Sequence, residues 1–333
     1  MKVMVVKPSG GAFNYITRGF INAFNAIGCD ARYWDGTNDS FEAFQPNLYI
    51  GCSGHRQIIP QKFKSKTKVA IHVNPYGQVK LEKVHGVDIN ETQDAINWTI
   101  AQKPNAVFGY GHQDDFKKYW LNWTTKHGIP FVGVPTAGDA TLYWPEKKEC
   151  DYDIAYLGGY WPFKGHKLNE WLMPVIKDVG VALMGWGGWG NTKGYRGVLP
   201  DGDSGRVFLA SAKVGPCISE PHTSIYGIDI PERFFKVALC GALPVSDFVP
   251  GFERYYPKDV YLMADNATDY KSLITNYARN SDFEANRVKL AQNVRKHTLL
   301  NHTYHSRMRN LCAILGFSDT VAKFDDAIRQ LAS

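Results

Sequence analysis

Short apolar runs alternate with helical-period stretches along the first ~135 residues. Runs at 2–7, 31–34, 47–52, 68–73, 106–110 and 131–134 read as strands. The first is closed by Pro8-Ser9-Gly10-Gly11. Helical spacing predicts helices at 13–27, ending at Gly28, and at 92–102 and 113–126. Strands that alternate with helices predict a parallel, doubly wound sheet.

The same order then restarts. Residues 136–150 are polar, carry Gly138, Pro145 and a charged run at 146–149, and read as a linker. A new strand at 152–157 is closed by Gly158-Gly159. Further strands are predicted at 181–185, 214–219, 242–246 and 260–263, with helices at 168–177, 204–212 and 231–240. Helices fill the tail at 269–279, 283–296, 304–315 and 320–331. The pattern predicts an α/β protein of two Rossmann-like domains, 1–140 and 151–318. The last helix, within 319–333, is expected to pack back on the first domain. Open α/β sheets bind ligands at the carboxyl ends of their strands, so two such domains facing a central cleft would hold a ligand there.

Composition narrows the class. The 333 residues are 44% hydrophobic and 21% charged, which supports two cores and excludes a disordered, collagen-like or coiled-coil chain. Lys and Arg number 38 against 32 Asp and Glu, a net +6 that suits an anionic ligand. The six cysteines form no CxxC pair, so neither a zinc site nor a disulfide framework is expected. The amino terminus lacks the pattern of a signal peptide, and no apolar stretch is long enough for a membrane helix. A cytoplasmic protein is expected.

The segment Asp229-Ile230-Pro231-Glu232-Arg233-Phe234-Phe235-Lys236 carries the strongest chemical signal. Pro231 suits a first helical turn, where its missing N–H is not needed. A helix start presents free N–H groups and the positive end of the dipole, which favour a phosphate. Arg233 lies in that turn and offers a bidentate grip on a diphosphate. Lys236, three residues on, is expected on the same face. The bland alternative is a buried helix–strand unit with solvated charges.

The run from Arg233 through Gly241-Ala242 and Val245 to Asp247 resembles the donor-site helix of GT-B glycosyltransferases, in the group 1-like branch that includes the CgeB spore-maturation proteins. Four other pieces fall in that family's order: residues 152–159, residues 181–189 with Gly185, Gly187 and Trp189, residues 195–200, and His302-Thr303-Tyr304 with Arg307. The resemblance implies a donor domain that holds a nucleotide sugar, with UDP as the first choice of nucleotide. Val198 and Leu199 fall in the loop that receives the base. The family's ribose-binding glutamate is replaced by Lys236, and Glu232 is expected on a different face from Arg233. The wording of this helix is also similar to the fucosyltransferase donor motif, which keeps a GDP-sugar open.

Transfer from a nucleotide sugar leaves negative charge on the departing diphosphate. Such enzymes answer it with basic side chains and helix starts rather than a metal. Arg233 is the first candidate, and Lys164, after Gly159, the second. Gly10 and Gly11 follow the first strand and would let backbone N–H groups approach a ligand. An inverting reaction needs a base for the acceptor hydroxyl. His72, at a strand end, and His112 and Asp115, after the next strand, are the candidates. Asp201-Gly202-Asp203 imitates a metal-binding Asp-x-Asp, but a polar turn is the simpler reading, and no metal is expected.

Three functions compete. The first is transfer of a sugar to a hydroxyl on a small molecule or glycan. The second is modification of DNA on hydroxymethylated bases, since phage DNA glucosyltransferases share this architecture and residues 62–68 are basic. The third is a non-catalytic two-lobed binding protein.

Overall fold

The computed structural model describes every residue except 9–11, 57–58, 60–64, 74–81, 89, 91, 116–117, 119–120, 147–149 and 200–202. The chain divides into two compact units, Met1–Thr141 with Tyr304–Ser333, and Leu142–Thr303.

The first unit is built on a six-stranded sheet. Its strands are β1 (Lys2–Val6), β2 (Asp30–Trp34), β3 (Leu48–Cys52), β4 (Lys68–His72), β5 (Ala106–Gly109) and β6 (Phe131–Gly133). They lie in the order β2-β1-β3-β4-β5-β6. Every pairing is parallel, so all six strands end at one edge. β3 is buried along its whole length, as a parallel strand covered on both faces should be. The helix Ala12–Ala26 supplies Phe20 and Phe24 to the core.

The two final helices, Tyr304–Leu315 and Ser318–Ala332, belong to this unit. Tyr304 packs edge-on to Phe20 at 5.5 Å, and Phe324 to Phe24 at 5.4 Å. Gly19 makes room for Tyr304, because a Cβ there would lie 2.1 Å from the ring. The chain therefore returns at residue 304, earlier than the boundary at 318 read from the sequence.

The second unit has five parallel strands. They are β7 (Tyr152–Leu157), β8 (Ala182–Met184), β9 (Ala212–Cys217), β10 (Leu243–Ser246) and β11 (Leu262–Met263), in the order β11-β10-β9-β7-β8. Residues 143–146, expected in a linker, instead pack on this unit. Arg206 stands over the Trp144 ring at 4.1 Å and pairs with Glu146.

Several boundaries move for local reasons. The helix expected at 168–177 begins at Pro162 and runs to Asp178 through a π-turn at Leu168–Leu172. Pro174 has no N–H to give to residue 170, and the ladder widens there, with Met173 N–H reaching Leu168 O. The stretch 113–126 holds a 3-10 turn, Gln113–Asp115, and a helix, Leu121–Lys126. Two short helices, Asn38–Phe44 and Pro221–Tyr226, lack the length for a clear hydrophobic period and escape sequence reading.

Candidate functional site

The carboxyl edge of the second sheet gathers most of the expected chemistry. The helix Glu232–Leu239 starts at Pro231, which has extended backbone at the cap position. Arg233 leaves its first turn and reaches the ends of two strands. Its Nε donates to Leu157 O at 2.5 Å and its Nη1 to Ile218 O at 3.2 Å. The guanidinium lies over the Tyr156 ring at 4.3 Å, a cation–π contact that holds it flat. Nη2 rests against Gly158, where a Cβ would come within 2.1 Å of it.

Lys164 arrives at the same place from the helix that starts at Pro162. Its Nζ donates to Ile218 O and to Glu220 Oε1, both at 2.8 Å. It is 2% exposed. Burial pushes its pKa below the usual lysine value. The nearby Glu220 carboxylate raises it, and the Arg233 charge lowers it further. Burial likewise pushes the Tyr156 phenol well up, so it stays protonated.

Behind these cations lies a buried ion pair. Asp247, fully buried at the end of β10, accepts from Lys167 Nζ at 2.8 Å, from Ser219 N–H at 2.8 Å and from Ser219 Oγ at 2.7 Å. It thereby fixes the loop 218–220 that presents the Ile218 carbonyl. Among the described residues, Lys164 pairs with Glu220 and Lys167 with Asp247, while Arg233 is held by carbonyls, so positive charge is in excess here. Such a site suits an anion.

Glycines let two loops close against each other at this edge. Gly185, at φ 149°, has Gly158 O 1.9 Å from where its Cβ would be. Gly187, at φ 96°, meets Tyr160 O at 2.0 Å in the same way. The Trp189 indole N–H donates to Gly158 O at 3.0 Å, which makes this tryptophan a structural clamp. Gly159 packs against the Trp186 indole.

The remaining donor-side candidates lie elsewhere on this unit. Lys236 was expected on the face of Arg233. It pairs with Glu232 at 2.8 Å, its i,i+4 neighbour in the same helix. Its Nζ is 5.4 Å from the Tyr143 ring centroid. Val198 is 65% exposed, and Leu199 packs at the edge of a core cluster. Gly197 O accepts from Gly185 N–H at 3.1 Å, which ties this loop to the end of β8. Asp201 and Gly202 lie outside the described residues, and Asp203 is an exposed partner of Arg206 at 3.7 Å. Among the described residues, no cluster of three His, Cys, Asp or Glu could hold a metal.

In the first unit, His72 ends β4 and Asp115 ends the 3-10 turn after β5. The His72 ring stacks on Tyr110 at 4.0 Å, and its Nδ1 lies 3.5 Å from Cys52 Sγ. Burial, with a smaller effect from the His55 charge, holds its pKa down to about 3. An imidazole that resists protonation so strongly is a poor general base. His112 pairs with exposed Asp114 at 3.2 Å. Asp115 is a carboxylate only 8% exposed at the carboxyl edge of this sheet. Gly10 and Gly11 lie outside the described residues.

The His302–Arg307 run has a structural task. His302 Nε2 donates to Tyr255 O at 2.6 Å within the second unit. Tyr304 N–H then donates to Gly138 O at 3.0 Å, and Arg307 Nε to Pro135 O at 2.8 Å, within the first. Sequence reading missed Glu220, Ser219 and Lys167, because nothing local marks their long-range partners.

Residues 166–313 match the family described as glycosyl transferase-like. No curated protein matches the chain. Among solved structures, a sucrose-phosphate synthase from Thermosynechococcus elongatus is 12% identical, covers 98% of this chain and 99% of its own, and superposes with a TM-score of 0.61. A T4 phage beta-glucosyltransferase in complex with UDP-glucose is 12% identical over 96% of this chain and 99% of its own, with a TM-score of 0.62. An alpha-glucosyltransferase in complex with UDP and a 13-mer DNA containing an HMU base is 9% identical over 95% and 99%, at 0.64. In the described residues no helix is long and apolar enough to cross a membrane. Residues 166–313 are thus similar to glycosyl transferase-like domains, and the chain shares the two-sheet fold of the GT-B glycosyltransferases.

Proposed function

We propose that this protein transfers a sugar from a nucleoside diphosphate sugar, UDP-linked in the first instance, to a hydroxyl acceptor. The observation that carries the proposal is the convergence of Lys164 and Arg233 on the Ile218 carbonyl, at the carboxyl ends of parallel strands. As the glycosidic bond breaks, negative charge grows on the departing diphosphate. Two cations already fixed by carbonyl and carboxylate contacts answer that charge without reorganising. In this reading they take the part that a divalent metal plays in other transferases.

On the acceptor side, Asp115 takes the hydroxyl proton in an inverting reaction. A carboxylate does this without the penalty that burial puts on protonating His72.

A screen of thermal stability against UDP-, GDP-, CMP- and dTDP-sugars tests the donor. A nucleotide sugar at 100 times its Kd adds about 2.7 kcal/mol. The UDP-sugar is expected to give the largest shift, and an absence of any shift overturns the reading. The two phage-type neighbours favour a second acceptor class, hydroxymethylated bases in DNA. Glucose transfer to duplex DNA carrying 5-hydroxymethylcytosine, compared with unmodified duplex, separates it from small-molecule acceptors.

A further inference from the structure

The exposed indole of Trp186 is out of keeping with its surroundings. Large apolar rings at a folded surface usually turn inward, yet this one is 52% exposed. It is also held rigidly. The ring is stacked on Trp161 with centroids 5.3 Å apart and planes within 4°. Its backbone carbonyl accepts from Tyr160 N–H at 2.9 Å. A Cβ on Gly159 would lie 2.6 Å from its Cε2, so glycine there is what lets the indole seat against the turn.

Its position relative to the cations carries the argument. Gly158 and Gly159 are consecutive at the end of β7. The first lies against the Arg233 guanidinium, and the second against the Trp186 indole. Lys164 Nζ is 5.7 Å from the Trp161 ring centroid. One turn thus has an anion-binding group on one residue and a rigid aromatic surface on the next. A nucleoside diphosphate has this pairing of groups, a diphosphate and a planar ring joined by one ribose.

We infer that Trp186, backed by Trp161, is a stacking platform for the nucleobase of the donor. This rests on the proposed donor reading and adds to it a residue that sets donor affinity. Stacking tolerates different bases, so the platform contributes affinity and leaves base choice to other contacts. Trp189 has no such part, because it is 2% exposed and bonded to Gly158.

The test is calorimetric titration of the whole protein with UDP and, separately, with inorganic diphosphate. Trp186→Leu is expected to weaken UDP roughly ten-fold or more, with diphosphate affinity unchanged. Trp186→Tyr should restore most of the loss, because it returns a flat ring to the site. If Trp186→Leu binds UDP as tightly as the wild type, the platform is wrong and the donor reading stands. If Trp186→Leu loses diphosphate and UDP equally, the indole is structural and the inference fails. If the wild type binds none of UDP, GDP and CDP, the donor reading falls and takes the platform with it.

Discussion

Lys164 and Arg233 share one acceptor, the Ile218 carbonyl, with Nζ at 2.8 Å and Nη1 at 3.2 Å. Two cations held this close repel each other. They stay because Glu220 pairs with one and a carbonyl and an aromatic face hold the other. An incoming diphosphate would relieve that repulsion, so the proposed donor site favours its charge more than an isolated lysine would.

Gly158 lies directly against the Arg233 guanidinium. Its φ is not in the left-handed region, so alanine adds no backbone strain. The added Cβ would sit 2.1 Å from Arg233 Nη2 and push the guanidinium away. Gly158→Ala is expected to weaken UDP binding about ten-fold or more, one hydrogen bond to a charged group being worth about 1.5–3 kcal/mol. Unfolding by urea should show a folded protein. Unchanged UDP affinity would show that Arg233 is not set by this turn.

Much of this region is legible in sequence because punctuation marks it. Gly158-Gly159 ends a strand, Pro231 starts a helix, and Arg233 and Lys164 stand beside them. Their partners are not legible. Glu220 lies 56 residues from Lys164, and Asp247 lies 28 from Ser219. No spacing rule reaches that far. The return of the chain at residue 304 is hidden for another reason. The helix Glu284–Asn301 ends at His302-Thr303 and the next begins at Tyr304, with no glycine or proline to signal the change. The Lys236–Glu232 pair is local, four residues apart on one helix, and helical spacing permits it without singling it out.

Asp247→Asn tests the support behind the cations. The change leaves Lys167 buried without its counter-charge and weakens the hold on Ser219. The cost is expected to be about 3–5 kcal/mol, the range for one partner removed from a buried pair. Urea unfolding measures it. A loss below about 1 kcal/mol would mean that the pair is open to water.

Acid should destabilise the first unit through His305. This ring is 2% exposed, and burial holds its pKa down to about 4. The unfolded chain takes up a proton near the ordinary histidine pKa of about 6.5, which the folded chain refuses. Stability therefore falls as pH drops from about 6.5 towards 4, by on the order of 2–3 kcal/mol from this group. His72, in the same unit, acts in the same direction, as does His222 in the second unit. His305→Leu should flatten the dependence of Tm on pH over that window. An unchanged slope would place the acid sensitivity elsewhere.

The central claim is that a nucleoside diphosphate sugar reacts where Arg233 and Lys164 meet. The most direct measurement is the rate of UDP release from a UDP-sugar by the wild type and by Arg233→Ala, with the fold of the variant checked by its unfolding curve. The account predicts that the variant loses about 10²–10³ of the rate, the usual effect of removing a group that stabilises transition-state charge. A folded variant that releases UDP at the wild-type rate would contradict it.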